Sequence, residues 1–208
     1  MDELQAQGLP VIPSVIARSA DDVARVLEQA AAWGAASLVT KPTVGASALG
    51  VRQHRTVAEA RAALEQHFAN TAAAGGVVVQ AFQSGFDAPG EVAVVCCRGE
   101  ALHAIRKKSV LTHGGHGDFD GIVELDAALV AFVERVMAAQ LGGCPLASLT
   151  YLRVDVVPAA SGEYVVSELE AVEPMFFLQH CAPDTAEAIA ATFVDAVISF
   201  VVGEEELV

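Results

Sequence analysis

The sequence predicts an α+β fold of two small lobes whose antiparallel sheets enclose a cleft. Three observations predict it. Helix-like and strand-like runs alternate as far as residue 82, and two antiparallel hairpin patterns follow residue 90. In addition, 53% hydrophobic residues over 208 positions give ample material for a core. The expected division is a leading segment over 1–15, a small lobe over 16–82 and a C-terminal lobe over 83–208.

Each element has a local reason. Ser19 and Asp22 have capping-box spacing ahead of VARVLEQAAAW, and Gly34 stands where a helix stop belongs. The strand SLVTK follows. Thr56 and Glu59 repeat the capping spacing before a helix expected over 58–74, which Gly75-Gly76 ends ahead of the β-branched run VVVQAF. EVAVVCC and ALHAIRKK then read as strands joined at Arg98-Gly99-Glu100. The glycine-rich stretch SVLTHGGHGDFDG has no periodicity and reads as a loop. Asp126 caps a helix expected over 127–141, with Gly142-Gly143 as its stop. SLTYLRVDVV and EYVVSELEAVE form a second hairpin around PAASG, and TAEAIAATFVDAVISFVV reads as a largely buried helix.

A formal charge of −14, from 26 acidic against 12 basic residues, argues against nucleic acid or an anionic membrane as the main partner. The four cysteines lack C-x-x-C spacing and read as free thiols in a reducing compartment. The acidic start MDELQAQGLP does not resemble a signal peptide, and no uninterrupted apolar run reaches the ~20 residues of a membrane span. The expectation is a cytoplasmic protein.

The chemistry-bearing residues fall in four places. Arg153 and Asp155 share one face of their strand, and Glu168 and Glu170 share one face of theirs, because side chains alternate with a period of two. If these faces coincide, three carboxylates and a guanidinium converge, which suits magnesium and a phosphoryl group. The same alternation would also produce a solvated face with cross-strand ion pairs. Arg106-Lys107-Lys108 is a second candidate for phosphate binding, with Lys107 on the opposite side of the strand from its neighbours. LVTKPTVGASALGV, residues 38–51, places a lysine before a run of small residues, so it is not a P-loop. His113 and His116 lack two further zinc ligands at a recognised spacing.

Taken in order, LVTKPTVGASALGV, VVVQAF, GEVAVV with HAIRK, GDF, and LRVDVV with SELEAVEP resemble the ATP-grasp superfamily. The resemblance is to its glutathione-synthetase-like branch of carboxylate-amine ligases, including D-cycloserine-forming members. It implies an ATP-grasp fold around a nucleotide cleft, with ATP and Mg2+ as cofactors. Lys41 would reach the nucleotide phosphates, and the small-residue loop, with Gly45, Ser47 and Gly50, would fold over the γ-phosphate. Gln80, Ala81 and Phe82 would form the hinge, where backbone amides and carbonyls read the adenine. Glu91 would face the ribose hydroxyls and Arg106 the phosphates, while Arg153 would stabilise the transferred phosphoryl group. Asp155, Glu168 and Glu170 would hold two magnesium ions, with Glu170 where the family often has asparagine. The family often continues Gly-Asp-Phe with arginine, but Asp120 stands there in this chain.

The implied reaction is phosphoryl transfer from ATP to a small carboxylate or related carbonyl, followed by attack of an amine on the acyl phosphate. Relatives usually carry a further N-terminal domain, and the resemblance implies that this sequence begins about where that domain would end, as a fragment or as a minimal unit. An alternative is therefore a nucleotide-binding subunit with little turnover of its own, completed by a partner or by a second copy.

Overall fold

The computed structural model describes residues 1–45, 48–70, 75–108, 119–159 and 161–202. It is α+β with two large antiparallel sheets, as the sequence predicts. Helix α1 (Asp2–Ala6) and strand β1 (Ser14–Ala17) come first. Helix α2 (Val23–Ala31), strands β2 (Leu38–Pro42) and β3 (Arg52–His54), helix α3 (Val57–Ala69) and strand β4 (Val77–Ala81) complete the first lobe. Its four strands run antiparallel in the order β1-β4-β2-β3. Val23, Val26, Leu27 and Ala30 recur at helical spacing on α2 and pack with Ala60 and Leu64 of α3 against Leu38, Val77 and Val79.

The second lobe contains β5 (Glu91–Cys97), β6 (Glu100–Lys107), β7 (Phe119–Val123) and helix α4 (Ala127–Met137). A two-residue hairpin of β8 (Gln140–Leu141) and β9 (Cys144–Pro145), strands β10 (Tyr151–Pro158) and β11 (Tyr164–Glu170), and helix α5 (Pro183–Val202) follow. The sheet order is β11-β10-β5-β6-β7, antiparallel throughout. Val92, Val94, Cys96, Leu152, Val154 and Val156 face Leu129, Phe132, Val133 and Val136 of α4. Alternation turns Glu91, Arg153 and Asp155 to the other face.

Ile12, Ala81 and Val157 form a small cluster where the two sheets meet. Beside it the turn Ser84–Phe86 presses on the end of β10, so close that a Cβ on Gly85 would lie 2.1 Å from the Pro158 carbonyl oxygen. The leading segment attaches to the second sheet through Ile12 N–H to Val166 O and Val166 N–H to Pro10 O, at 3.0 and 2.9 Å.

The caps divide. Thr56 Oγ1 accepts from Glu59 N–H and Asp126 Oδ1 from Leu129 N–H, as expected. Ser19 makes no side-chain cap; Asp22 accepts instead from the Arg18 amide. α3 ends at Ala69 rather than continuing to 74, and residues 71–74 lie outside the described part. α4 stops at Met137 because Gly142 and Gly143, both at positive φ, make the tight turn between β8 and β9 instead of a helix stop. Part of the expected glycine-rich loop, from Phe119 onward, is strand β7.

α5 corrects one expectation, that of a largely buried helix. It is 20 residues long with a mean hydropathy of 1.7, long and apolar enough by length and composition to cross a membrane. It is also mostly exposed: only Ile189 and Ala196 are buried, while Val194, Val197, Ile198 and Val201 form an open stripe. Apolar residues recur all round this helix, but only one side meets β5, where the Phe193 ring also stacks on Phe176 at 4.3 Å.

Candidate active site

The register of the second hairpin brings the predicted carboxylates together. Arg153 stands opposite Glu170 and Asp155 opposite Glu168, so both pairs share the face turned away from α4. One step further Val156 pairs with Val166, which makes Ser167 the extra residue of a β-bulge. The bulge lets the Ser167 hydroxyl donate to Glu91 Oε1 at 2.5 Å, across β10.

Arg153 and Asp155 form the centre. The guanidinium donates to both carboxylate oxygens, Nε to Oδ1 at 2.8 Å and Nη2 to Oδ2 at 2.9 Å. Nη1 pairs with Glu170 Oε2 by charge, without the alignment of a hydrogen bond, so that buried oxygen has no donor aimed at it. The Phe177 ring lies under the guanidinium at 5.6 Å. A second cation completes the group: Lys107 Nζ is 2.6 Å from Asp155 Oδ2 and 2.7 Å from Glu91 Oε2.

Asp155 is completely buried, and burial alone would push its carboxyl up; Lys107 and Arg153 hold it below the usual aspartate value. Burial also works against the charge of Lys107, but Glu91 and Asp155 raise its pKa above the ordinary lysine value. Glu170 moves the other way: burial, reinforced by Asp155 and Glu168, pushes its carboxyl up against the pull of Arg153.

The other predicted residues are distributed as follows. Lys41, near the end of β2, lines a cavity of about 230 Å³ together with Ser167, Glu168 and Leu169, so of the three carboxylates it shares a cavity with Glu168. Gly45 and Gly50 flank Pro42; Gly50 has φ +81°, which a side chain rarely adopts. Ser47 lies outside the described residues, as do His113 and His116. Gln80 is buried and donates to Ser14 Oγ at 2.9 Å. The Ala81 and Phe82 amides donate to the carbonyls of Pro13 and Ser37, so these two amides are committed within the protein rather than open to an adenine. Asp120 is exposed, 4.0 Å from Lys108 Nζ.

Arg106 is not part of the cluster. Its Nη1 donates to Pro89 O at 2.9 Å, on the side of β6 away from Asp155, and Lys107 takes the place beside the carboxylates. The cause is a bulge in the first hairpin. From Cys97 opposite Glu100 the register runs to Cys96 opposite Ala101, and then slips so that Val95 meets His103. An unbroken register would set Glu91 against Arg106, whereas the slip sets it against Lys107.

The donor set fits a hard divalent cation in chemistry: Asp155, Glu168 and Glu170 offer oxygens from one face, and Glu170 Oε2 is buried without an aligned donor. Among the described residues no three His, Cys, Asp or Glu side chains converge as a metal cage, and Arg153 and Lys107 engage both Asp155 oxygens.

No protein-family model matches the chain. It is 32% identical over 201 residues to the cycloserine biosynthesis protein DcsG of Streptomyces lavendulae, covering 90% of this chain and 66% of that protein. The crystal structure of D-cycloserine synthetase DcsG superposes with a TM-score of 0.74 at 26% identity, over 92% of this chain and 68% of that one. The D-alanine-D-alanine ligase of Coxiella burnetii follows the same fold at a TM-score of 0.68 and 15% identity, over 99% of this chain and 58% of its own. So does the ATP-grasp ligase PsnB, solved with a minimal precursor, Mg and ADP, at a TM-score of 0.60 and 20% identity over 92% of this chain and 56% of its own. Motif order, fold and a relative matched along nine-tenths of the sequence agree, and the chain belongs to the ATP-grasp superfamily.

Proposed function

We propose that the protein is an ATP- and Mg2+-dependent ligase that activates a small carboxylate, or a related carbonyl, as an acyl phosphate for attack by an amine. The observation that carries this reading is the cross-strand square of Arg153, Asp155, Glu168 and Glu170, whose Glu168 shares a cavity with Lys41 of the other lobe. The likeness to DcsG supports it. Residues 16–82 and 83–208 act as the two lobes around the nucleotide, with 1–15 leading in.

Phosphoryl transfer asks a protein mainly for positioning and charge neutralisation. Lys41 draws the terminal phosphates toward the carboxylates, and Gly45 and Gly50 give the covering loop room to close. Gln80 and Phe82 frame the adenine end, and Glu91, at the start of β5, accepts from the ribose hydroxyls. Arg153, already oriented by Asp155 and Phe177, meets the charge on the transferred group. Arg106 acts from the rim rather than the centre. Asp155, Glu168 and Glu170 would hold magnesium, whose charge would neutralise the phosphate oxygens when bound. A small amino-acid-like substrate and a cytoplasmic location follow from this reading.

A second reading is a nucleotide-binding subunit with little turnover alone. One observation favours it: α5 carries an open apolar stripe. The chain spans 66% of the length of DcsG. One experiment separates the two. ADP release is followed with ATP, Mg2+ and a panel of amino acids and small carboxylates, alongside calorimetry of ATP binding. The ligase reading expects release stimulated by at least one panel member. Binding without release supports the subunit, and absence of binding at millimolar ATP overturns both.

A further inference from the structure

Lys107 stands at the middle of the charged cluster, and the phosphoryl transfer described above gives it no task. Its side chain is 11% exposed, and its ammonium bridges Glu91 Oε2 and Asp155 Oδ2 at 2.7 and 2.6 Å. Arg153 already donates to both oxygens of Asp155. The carboxylate at the centre of the proposed metal set is thus saturated by cations, while Glu170 Oε2 lacks an aligned donor and Glu168 is exposed. A divalent ion on Asp155 Oδ2 would stand at contact distance from an ammonium, in a setting where like charges are poorly screened. One of the two must yield. The ammonium can, because it rides on a flexible four-carbon stem at the last residue of β6.

We propose that Lys107 is a resident counter-cation that clamps Glu91 to Asp155 and competes with divalent metal for Asp155. The cluster then accepts metal readily only together with a nucleotide whose phosphates receive the displaced ammonium. The inference rests on the proposed metal set of Asp155, Glu168 and Glu170. It links the two ends of the nucleotide site, since one ammonium touches both the carboxylate proposed for the ribose and the carboxylate proposed for metal. Occupancy of either is felt at the other, and such coupling is reciprocal.

The test is Mn2+ titration of the full, nucleotide-free chain, followed by electron paramagnetic resonance. Lys107→Gln is expected to bind Mn2+ at least tenfold more tightly than wild type, and Lys107→Arg, which keeps the charge, to stay within threefold of wild type. Adding Asp155→Asn to Lys107→Gln should abolish the gain. If wild type and Lys107→Gln bind equally, or the variant binds more weakly, the role of Lys107 is overturned and the metal set stands. If none of the proteins binds Mn2+, with or without ADP, both fall. Should Lys107→Gln fail to fold, wild type alone decides. A slowly exchanging 15Nζ ammonium resonance, absent from Lys107→Arg, should shift as Mg2+ is added, and an unmoved resonance at saturating Mg2+ overturns the proposal.

Discussion

The two faces of the five-stranded sheet are built from the same strands and differ in chemistry: one is aliphatic, while the other sets charged side chains beside the buried apolar Ala93 and Ile105. Toward α4 every strand contributes aliphatic side chains, and Val94, Val154, Val156 and Leu129 are completely buried. Toward the cleft, one residue further along each strand, stand Glu91, Lys107, Arg153 and Asp155, of which Asp155 is just as completely buried. Burial is complete at residues of both faces and means different things. On the first it supplies the hydrophobic stabilisation of the lobe. On the second it strengthens ion pairs whose net contribution to stability is small, because desolvation offsets the attraction. The first face should set whether the protein folds, and the second what it does once folded.

The largest expected effect belongs to the cleft face. Arg153→Met should lower substrate-stimulated ADP release by roughly 10³-fold or more, the scale of an arginine that meets transferred phosphoryl charge. A loss under tenfold would break the contrast between the faces. Leu129→Ala, on the opposite face, should cost about 2–5 kcal/mol in urea unfolding while ADP release per folded molecule stays within about twofold. Gly85→Ala tests the junction of the lobes. With its new Cβ directed at the Pro158 oxygen, it should cost about 1–3 kcal/mol and weaken ATP binding in calorimetry.

A smaller effect is the pH dependence of the cleft face. Asp155 has a depressed pKa in the folded protein, so the stability its ionised form contributes is fully present above the ordinary aspartate value of ~3.9. That stability is lost as pH falls through the depressed value. The urea midpoints of wild type and Asp155→Asn should differ by a constant amount from pH 5 to 7 and converge only below pH 4. Convergence already at pH 5 would mean that Lys107 and Arg153 do not hold the carboxylate as described. The smallest effect is expected for Val201→Ser on the exposed stripe of α5, within about 0.5 kcal/mol of wild type in the same assay.

Much of this was legible in the sequence wherever a rule acts over a few residues. The caps at Thr56 and Asp126, both large hairpins, and the pairs Arg153 with Asp155 and Glu168 with Glu170 on one face of each strand follow from spacing, while the register makes those two faces coincide. What escaped depends on partners far along the chain. β1 is only four residues long, and its strand character comes from pairing with β4, more than sixty positions later. The exposure of α5 could not be read from its composition, because an apolar helix looks the same whether or not a neighbour covers it. The two-residue period of a strand puts Lys107 on the opposite side from Arg106, but which of the two meets Asp155 is decided by the slip between Val95 and Cys96. The one available signal was the β-branched run of β5 set against the less regular ALHAIRKK, which leaves room for an inserted residue.

That slip makes the site sensitive to chain length in a way that no substitution reproduces. The extra residue falls at Leu102, between Ala101 and His103. Deleting the single codon for Leu102 would reverse the parity of everything after it on β6, so that Arg106 would turn to Glu91 and Asp155 while Lys107 rotated outward. Composition, charge and hydrophobic content on the remaining strand would hardly change. A guanidinium would replace an ammonium at the centre of the cluster through a frame-preserving deletion. Length variation at this point of the hairpin is therefore a route by which related chains can exchange one cation for the other without mutating either.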